Sequence, residues 1–143
     1  MLTEEIADPG ATSPSELREE YLAAVARAIA DVGAERVAAD TDLPPARVDA
    51  IAAGTAGAVT LEETAAVLAC APDYPAADDY LLELRDHLML EMSSAVVDVD
   101  DLTRGIESDL DPKEIQQKVE GRRGMTLSEY ARIAHYLASE NPW

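Results

Sequence analysis

Apolar residues recur along most of this chain with the 3–4 residue spacing of amphipathic helices, and no stretch alternates with period two. The first such run places Leu17, Tyr21, Val25, Ala28 and Val32 on one face. It is preceded by Ser13-Pro14-Ser15-Glu16, where a hydroxyl can cap free N–H groups and proline sits in the first turn. Gly33 offers a left-handed stop. A short segment, Ala34 to Asp40, predicts a second helix, and Pro44-Pro45 opens a third that carries Val48 and Ile51 inward and ends at Gly54. Thr60-Leu61-Glu62-Glu63 is a capping box for a fourth helix, ending near Ala71-Pro72. Residues Met1 to Thr12 show no periodicity and contain Pro9-Gly10, which predicts a loose tail.

The same grammar then repeats. Asp78 to Val97 predicts a second long helix, Asp101 to Ser108 a short one, Asp111-Pro112-Lys113-Glu114 the start of a third that ends at Gly121, and Thr126-Leu127-Ser128-Glu129 the cap of the last. Leu43, Pro45, Val48, Gly54 and Gly57 correspond to Leu110, Pro112, Ile115, Gly121 and Gly124 at an offset of 67. After the second glycine the offset drops to 66, so that Thr60, Leu61, Glu63, Ala65 and Val67 match Thr126, Leu127, Glu129, Ala131 and Ile133. Helix-forming composition accounts for alanine and glutamate at many positions. It does not account for two glycines three apart followed by Thr-Leu-x-Glu in both halves. The expectation is an all-α fold of two tandem, diverged four-helix units packed together, at 13–75 and 76–143 after a tail at 1–12.

Each unit combines a short helix, a turn, a helix with inward aliphatics, a glycine loop and a capped amphipathic helix. The run LDPKEIQQKVEGRRGMTLSEYARIAHYL from Leu110 to Leu137 resembles the Cro/C1 (Xre-type, lambda-repressor-like) helix-turn-helix pattern, with Leu110 closing the turn and Ile115 and Val119 anchoring the recognition helix. LPPARVDAIAAGTAGAVTLEETAAVLA from Leu43 to Ala69 fits the same frame in degenerate form. Where the pattern has a small packing residue before the turn, the copies have Ala38 and Gly105, and the glycine weakens the expected second short helix. Together with the acidic composition, the duplication resembles an uncharacterised family of haloarchaeal proteins. That resemblance implies a fold and a habitat, and no activity.

Composition sharpens this. Twenty-nine acidic residues against 11 Lys and Arg give a net charge of −18, and arginine outnumbers lysine nine to two. Near 1 M salt the Debye length is roughly 3 Å, so such a surface stays soluble with little self-repulsion. A salt-adapted cytoplasm is the expected setting, since the N-terminus lacks an export signal and no window is apolar enough to span a bilayer. A surface of that sign repels nucleic acid in bulk. The exception is residues 111–124, with four basic and three acidic side chains. Both lysines and both glutamines of the chain lie there, and with Ile115 and Val119 inward, Lys113, Gln116, Gln117 and Glu120 point outward. Lys113, Gln116, Gln117, Lys118, Arg122 and Arg123 are therefore the candidate contacts to double-stranded DNA in a transcription-regulator-like protein. The competing arrangement is structural, with Glu114 and Lys118 paired at i,i+4 and the two arginines answering the negative helix end.

Asp78 to Val97 carries apolar residues around much more than one stripe. It fits burial between the units, or an interface made of Leu81, Leu84, Leu88, Met89 and Met92 in a homodimer or with another protein. The alternative function is thus a helix-turn-helix fold turned to protein contact. His87, His135 and Cys70 match no zinc spacing, the glycines do not form a phosphate loop, and the carboxylates are too widespread to single out an acid–base pair. No metal, cofactor or enzymatic activity is expected. Trp143, the sole tryptophan, follows Asn141-Pro142 at the end of the chain.

Overall fold

A computed structural model describes residues 13–106 and 109–141. It is all-α, with eight helices among the described residues: α1 (Pro14–Val32), α2 (Ala34–Asp40), α3 (Pro45–Ala53), α4 (Leu61–Leu68), α5 (Ala77–Ala95), α6 (Val99–Gly105), α7 (Pro112–Val119) and α8 (Leu127–Glu140). The expected tail at 1–12 and Trp143 lie outside the described residues.

The starts are set by local chemistry. Ser13 Oγ accepts from the Glu16 N–H at 3.1 Å ahead of Pro14, and Thr60 with Glu63 and Thr126 with Glu129 form reciprocal capping boxes. Helix α6 departs from expectation. It begins at Val99 rather than Asp101, because Asp98 caps the Asp101 N–H at 2.8 Å while the Asp101 carboxylate accepts from the Asp98 N–H at 3.2 Å. This is a capping box built from two aspartates. Gly105 closes that helix without disrupting it. A Cβ there would sit 2.2 Å from the Tyr136 ring, so the glycine admits the ring of α8 against α6. Helix α5 ends two residues earlier than expected, at Ala95, with Val96 in the left-handed region (φ 56°, ψ 49°).

The two halves interlock. Helix α1 packs on α2, α3 and α4 of its own half and also against α8, while α5 packs on α8 and α7 and also against α4. At the centre the two Thr-Leu-x-Glu boxes meet head to head. The Leu61 N–H donates to the Met125 carbonyl at 2.8 Å and the Leu127 N–H to the Val59 carbonyl at 2.7 Å, an antiparallel bridge between Thr60 and Thr126. Positions 66 residues apart thus bond reciprocally, which is a local two-fold relation. One continuous core crosses it, from Leu17, Tyr21 and Val25 through Leu61 and Leu68 to Tyr80, Leu84, Leu88, Leu127, Tyr130 and Ile133. The boundary at residues 75 and 76 separates two sequence units but not two cores.

Tyr21 and Tyr130 lie at the crossing of α1 and α8, with ring centroids 5.6 Å apart and planes inclined by 54°. Burial, with Glu20 adding to it, pushes the Tyr21 hydroxyl up to about 12. Burial, then Tyr21, Tyr80 and Glu91, holds Tyr130 well above the usual phenol range. The folded chain therefore keeps these protons at pH values where the unfolded chain, with phenols near 10, releases them. Their stabilising effect is complete below pH ~10 and is lost as pH rises through the folded values, at about 1.4 kcal/mol per pH unit for each group. Thermal unfolding in molar KCl should give a Tm that is level from pH 7 to 9 and falls above 10. Tyr21→Phe with Tyr130→Phe should flatten that fall.

Candidate functional site

The sequence-selected patch occupies α7 and the turn that follows it. Asp111 accepts from the Glu114 N–H at 2.8 Å, Pro112 fills the first turn, and Ile115 and Val119 are buried beneath the helix. That orientation is the expected one, and it leaves Lys113, Gln116 and Glu120 exposed. The turn passes through Gly121 at φ 80°, where the Arg85 guanidinium of α5 lies so close that a Cβ would come within 2.3 Å of its Nε.

Most of the candidate side chains are committed to neighbours within the chain. Lys118 Nζ donates to the Glu129 carboxylate at 2.8 Å and to the Gly124 carbonyl at 3.1 Å, with only 15% of its side chain exposed. The expected Glu114–Lys118 helix pair is replaced by this tie to the capping box of α8. Gln116 donates to Glu120 at 2.9 Å, and Arg122 also bonds Glu120. Those two partners, Gln116 first, hold the Glu120 carboxyl below its ordinary range. Arg123 Nε donates to Gln117 Oε1 at 2.8 Å, with its other guanidinium nitrogen 3.8 Å from Glu114. Lys113 is exposed beside the N-terminus of α6, sharing a shallow recess with Asp98, Asp100 and Gln116.

Arg47 is a cation that the helical wheel did not single out. On α3 it reaches the capping-box glutamate of α4: Nε to Glu63 at 2.7 Å, a second nitrogen to Glu63 at 2.9 Å, and the carbonyls of Ala56 and Ala58 at 2.8 and 2.6 Å. The bidentate bond to Arg47 lowers the Glu63 carboxyl, and the Thr60 backbone N–H adds to this. Both halves therefore tie the capping-box glutamate to the third helix of the half, by Arg47 in one and Lys118 in the other. The visible signal was the Thr-Leu-x-Glu box, since a capping carboxylate keeps spare acceptor capacity: Arg47 takes both oxygens of Glu63, and Lys118 shares Glu129 Oε1 with the Thr126 N–H. The long helices are tied in a related way. Arg18 of α1 donates to the Gly57 carbonyl at 3.3 Å, and Arg85, 67 positions later, stands 3.7 Å from Glu62.

These ties make glycines 54 and 121 unequal, although both stand at left-handed turns, with φ of 78° and 80°. Nothing lies within 4 Å of a Cβ built at Gly54, whereas at Gly121 it meets Arg85. Gly54→Ala should cost about 1 kcal/mol from backbone strain alone. Gly121→Ala should cost roughly 1 kcal/mol more, because Arg85 must move as well. Urea unfolding of the two variants checks the difference.

The candidate interface on α5 divides. Leu84 and Leu88 are buried in the chain's own core, at 0% and 1% exposure, so they are not available to a partner without unfolding. Leu81 and Met92 are half-buried against that core, and Met89 is exposed. Leu82, Leu90 and Val96, which were not among the candidates, are the other large exposed apolar residues of the described chain. Sequence periodicity shows that α5 is too apolar for one stripe, but not which stripe the other unit covers.

Nothing in the described residues assembles a metal-binding group of three or more His, Cys, Asp or Glu. Cys70 is half-buried, its thiol pushed up by burial and then by Asp40, and it donates to the Ala66 carbonyl at 3.4 Å. His87 stands 3.9 Å from Glu91. No described helix is long and apolar enough to cross a membrane. No curated protein and no solved structure is significantly similar to the chain. Residues 17–140 match a family of unknown function, DUF5791, and the chain belongs to that family.

Proposed function

We propose that the chain is a non-enzymatic protein-contact module of a salt-adapted cytoplasm, built on two helix-turn-helix-like units whose DNA-reading face has been turned to internal structure. The observation that carries this is Lys118. The candidate recognition helix spends that cation on Glu129 and the Gly124 carbonyl. Its remaining amides and arginines are paired with Gln117, Glu114 and Glu120. The surroundings act in the same direction. A helix N-terminus beside a recognition helix ordinarily favours phosphate through its free N–H groups. At α6 Asp98 caps the Asp101 N–H, Asp101 caps the Asp98 N–H and Asp100 stands beside them, so phosphate would meet carboxylate.

The DNA-associated, transcription-regulator-like reading retains one supporting observation: Lys113, Arg122 and Arg123 are exposed on the same unit. A titration separates the two. Fluorescent duplexes made from genomic fragments, mixed with the full chain from 0.1 to 2 M KCl, should show no saturable binding. Saturable binding lost in Lys113→Glu with Arg122→Glu would reverse the assignment. Lys118 is left intact in that variant because its loss would loosen α7 from α8.

A further inference from the structure

A recess of about 560 Å³ opens between the start of α1, the end of α6 and α8. Small-molecule sites span roughly 300–1,000 Å³. Ser15 lines it from α1, Gly105 and Ile106 from the end of α6, and Arg132, His135, Tyr136 and Ser139 from α8. No aspartate or glutamate is among its described lining residues, in a chain that carries 29 of them. No residue of α7 reaches it, so it is separate from the candidate recognition helix.

Arg132 gives the recess its sign. Among the described residues, Arg36, Arg47, Arg85, Arg104, Lys118 and Arg122 each pair with a carboxylate of the chain, whereas Arg132 makes no hydrogen bond or ion pair. Its own helix offers it no spare acid. One turn to either side stand Ser128, Glu129, His135 and Tyr136, and Glu129 is already bonded by Lys118 and the Thr126 N–H. Ser139 donates to the His135 carbonyl at 2.8 Å, which spends its hydrogen. The Ser15 and Tyr136 hydroxyls donate to no described residue. Burial, then Glu140 and Asp101, raises the Tyr136 phenol above its ordinary value, so it remains a donor.

The internal repeat shows that the architecture does not demand these side chains. At an offset of 66 the counterparts of Arg132, His135 and Tyr136 are Ala66, Ala69 and Cys70, and at 67 the counterpart of Gly105 is Ala38. The first unit has methyl groups where the second has a guanidinium and an imidazole. Gly105 and Tyr136 belong together, because a Cβ at 105 would strike the ring that forms this wall of the recess.

We propose that the recess binds a small phosphate monoester, with Arg132 and His135 on the phosphate oxygens and the organic body against Ile106 and Tyr136. A guanidinium meets phosphate with two parallel charge-assisted bonds. With the His135 ring and the Ser15 hydroxyl added, the donors exceed what the two oxygens of a carboxylate use and suit the three terminal oxygens of a monoester. A phosphodiester has only two, and a nucleic-acid strand would also meet the repulsion of a chain of net charge −18. The site goes beyond the protein-contact reading and does not rest on it.

The test uses the full chain with ¹⁵N-labelled arginine and histidine in 1 M KCl, where the Debye length is about 3 Å and only direct contacts hold an anion. The probes are phenyl phosphate, inorganic phosphate, benzoate, and diphenyl phosphate as the phosphodiester. Phenyl phosphate should shift the Arg132 Nε–H and the His135 ring saturably at millimolar concentration or below, and leave Arg47, held by Glu63, in place. The other three should bind at least fivefold more weakly. Arg132→Ala, the residue of the first unit, should weaken phenyl phosphate at least tenfold with no change in the circular-dichroism spectrum. Arg132→Lys, which keeps the charge and loses the fork, should weaken it several-fold. No saturable shift, or equal affinity in both Arg132 variants and wild type, overturns the site. Benzoate or diphenyl phosphate bound as tightly as phenyl phosphate overturns the monoester, and inorganic phosphate bound as tightly overturns the part given to Ile106 and Tyr136.

Discussion

Leu88→Asp should unfold the chain outright, with loss of the helical circular-dichroism signal even in molar KCl. Leu88 is 1% exposed and belongs to the core that α5 shares with α4 and α8. The substitution removes the burial of a large aliphatic side chain, about 1.5–3 kcal/mol. It also places a carboxylate among apolar neighbours, where several kcal/mol more is lost through desolvation or forced protonation. Together these approach the 5–15 kcal/mol that a domain has in total. Leu90→Asp, two residues on and 64% exposed, should change stability by less than about 0.5 kcal/mol. The pair separates two roles for α5 that its composition leaves open. Were Leu88 an intermolecular contact, Leu88→Asp would give a well-folded monomer, and size-exclusion chromatography with circular dichroism would report it.

The contrast between residues 88 and 90 also shows where sequence reasoning stops. Helix positions and most helix starts were legible because capping is local: Ser13, Thr60, Asp111 and Thr126 act on N–H groups three residues away. The start of α6 was misplaced by two residues because an Asp98–Asp101 box lacks the usual hydroxyl and glutamate. Gly105 reads as a helix weakness until the Tyr136 ring, 31 residues later, is seen to occupy the space its side chain would fill. Which stripe of α5 is covered depends on α4 and α8 packing against it. Periodicity within one element carries no trace of that.

The candidate site failed to be legible for the same reason. On a helical wheel Lys118 flanks the Ile115–Val119 face, one turn beyond Glu114. It is drawn down only because α8 brings Glu129 and the loop brings Gly124 beside it. The internal repeat did contain a warning. The residue equivalent to Lys118 by the offset of 67 is Ile51, which is buried, so the position faces inward in one half, and a lysine there must lay its stem along the core and carry its charge to an edge. The residue equivalent to Glu114 is Arg47, the cation that serves the same purpose in the first half. Arginine and isoleucine in one unit are thus exchanged for glutamate and lysine in the other, one helical turn apart, around a glutamate that does not move.

That exchange makes a quantitative expectation. Lys118→Ile alone removes the bonds to Glu129 and Gly124, in a pair whose side chains are 15% and 27% exposed, and should cost about 2 kcal/mol in urea unfolding. Glu114→Arg alone gives up only the 3.8 Å contact with Arg123 and adds a cation near Lys118, so it should be neutral to slightly destabilising, within about 0.5 kcal/mol. Combined, the two substitutions rebuild in the second unit the arrangement of Arg47 and Ile51, and an arginine at 114 can take the capping-box carboxylate that Lys118 has left. The double variant should recover at least half of the loss, a favourable coupling of about 1 kcal/mol between positions in one network. The glycine loop sets the ceiling on that recovery. It is one residue longer in the first unit, where it supplies the Ala56 and Ala58 carbonyls to Arg47, so the grafted arginine should regain its carboxylate bonds more fully than its carbonyl bonds. Additive losses in the double variant would mean that the two halves reached their glutamate ties independently, and that the offset of 67 aligns helices without aligning the bonds between them.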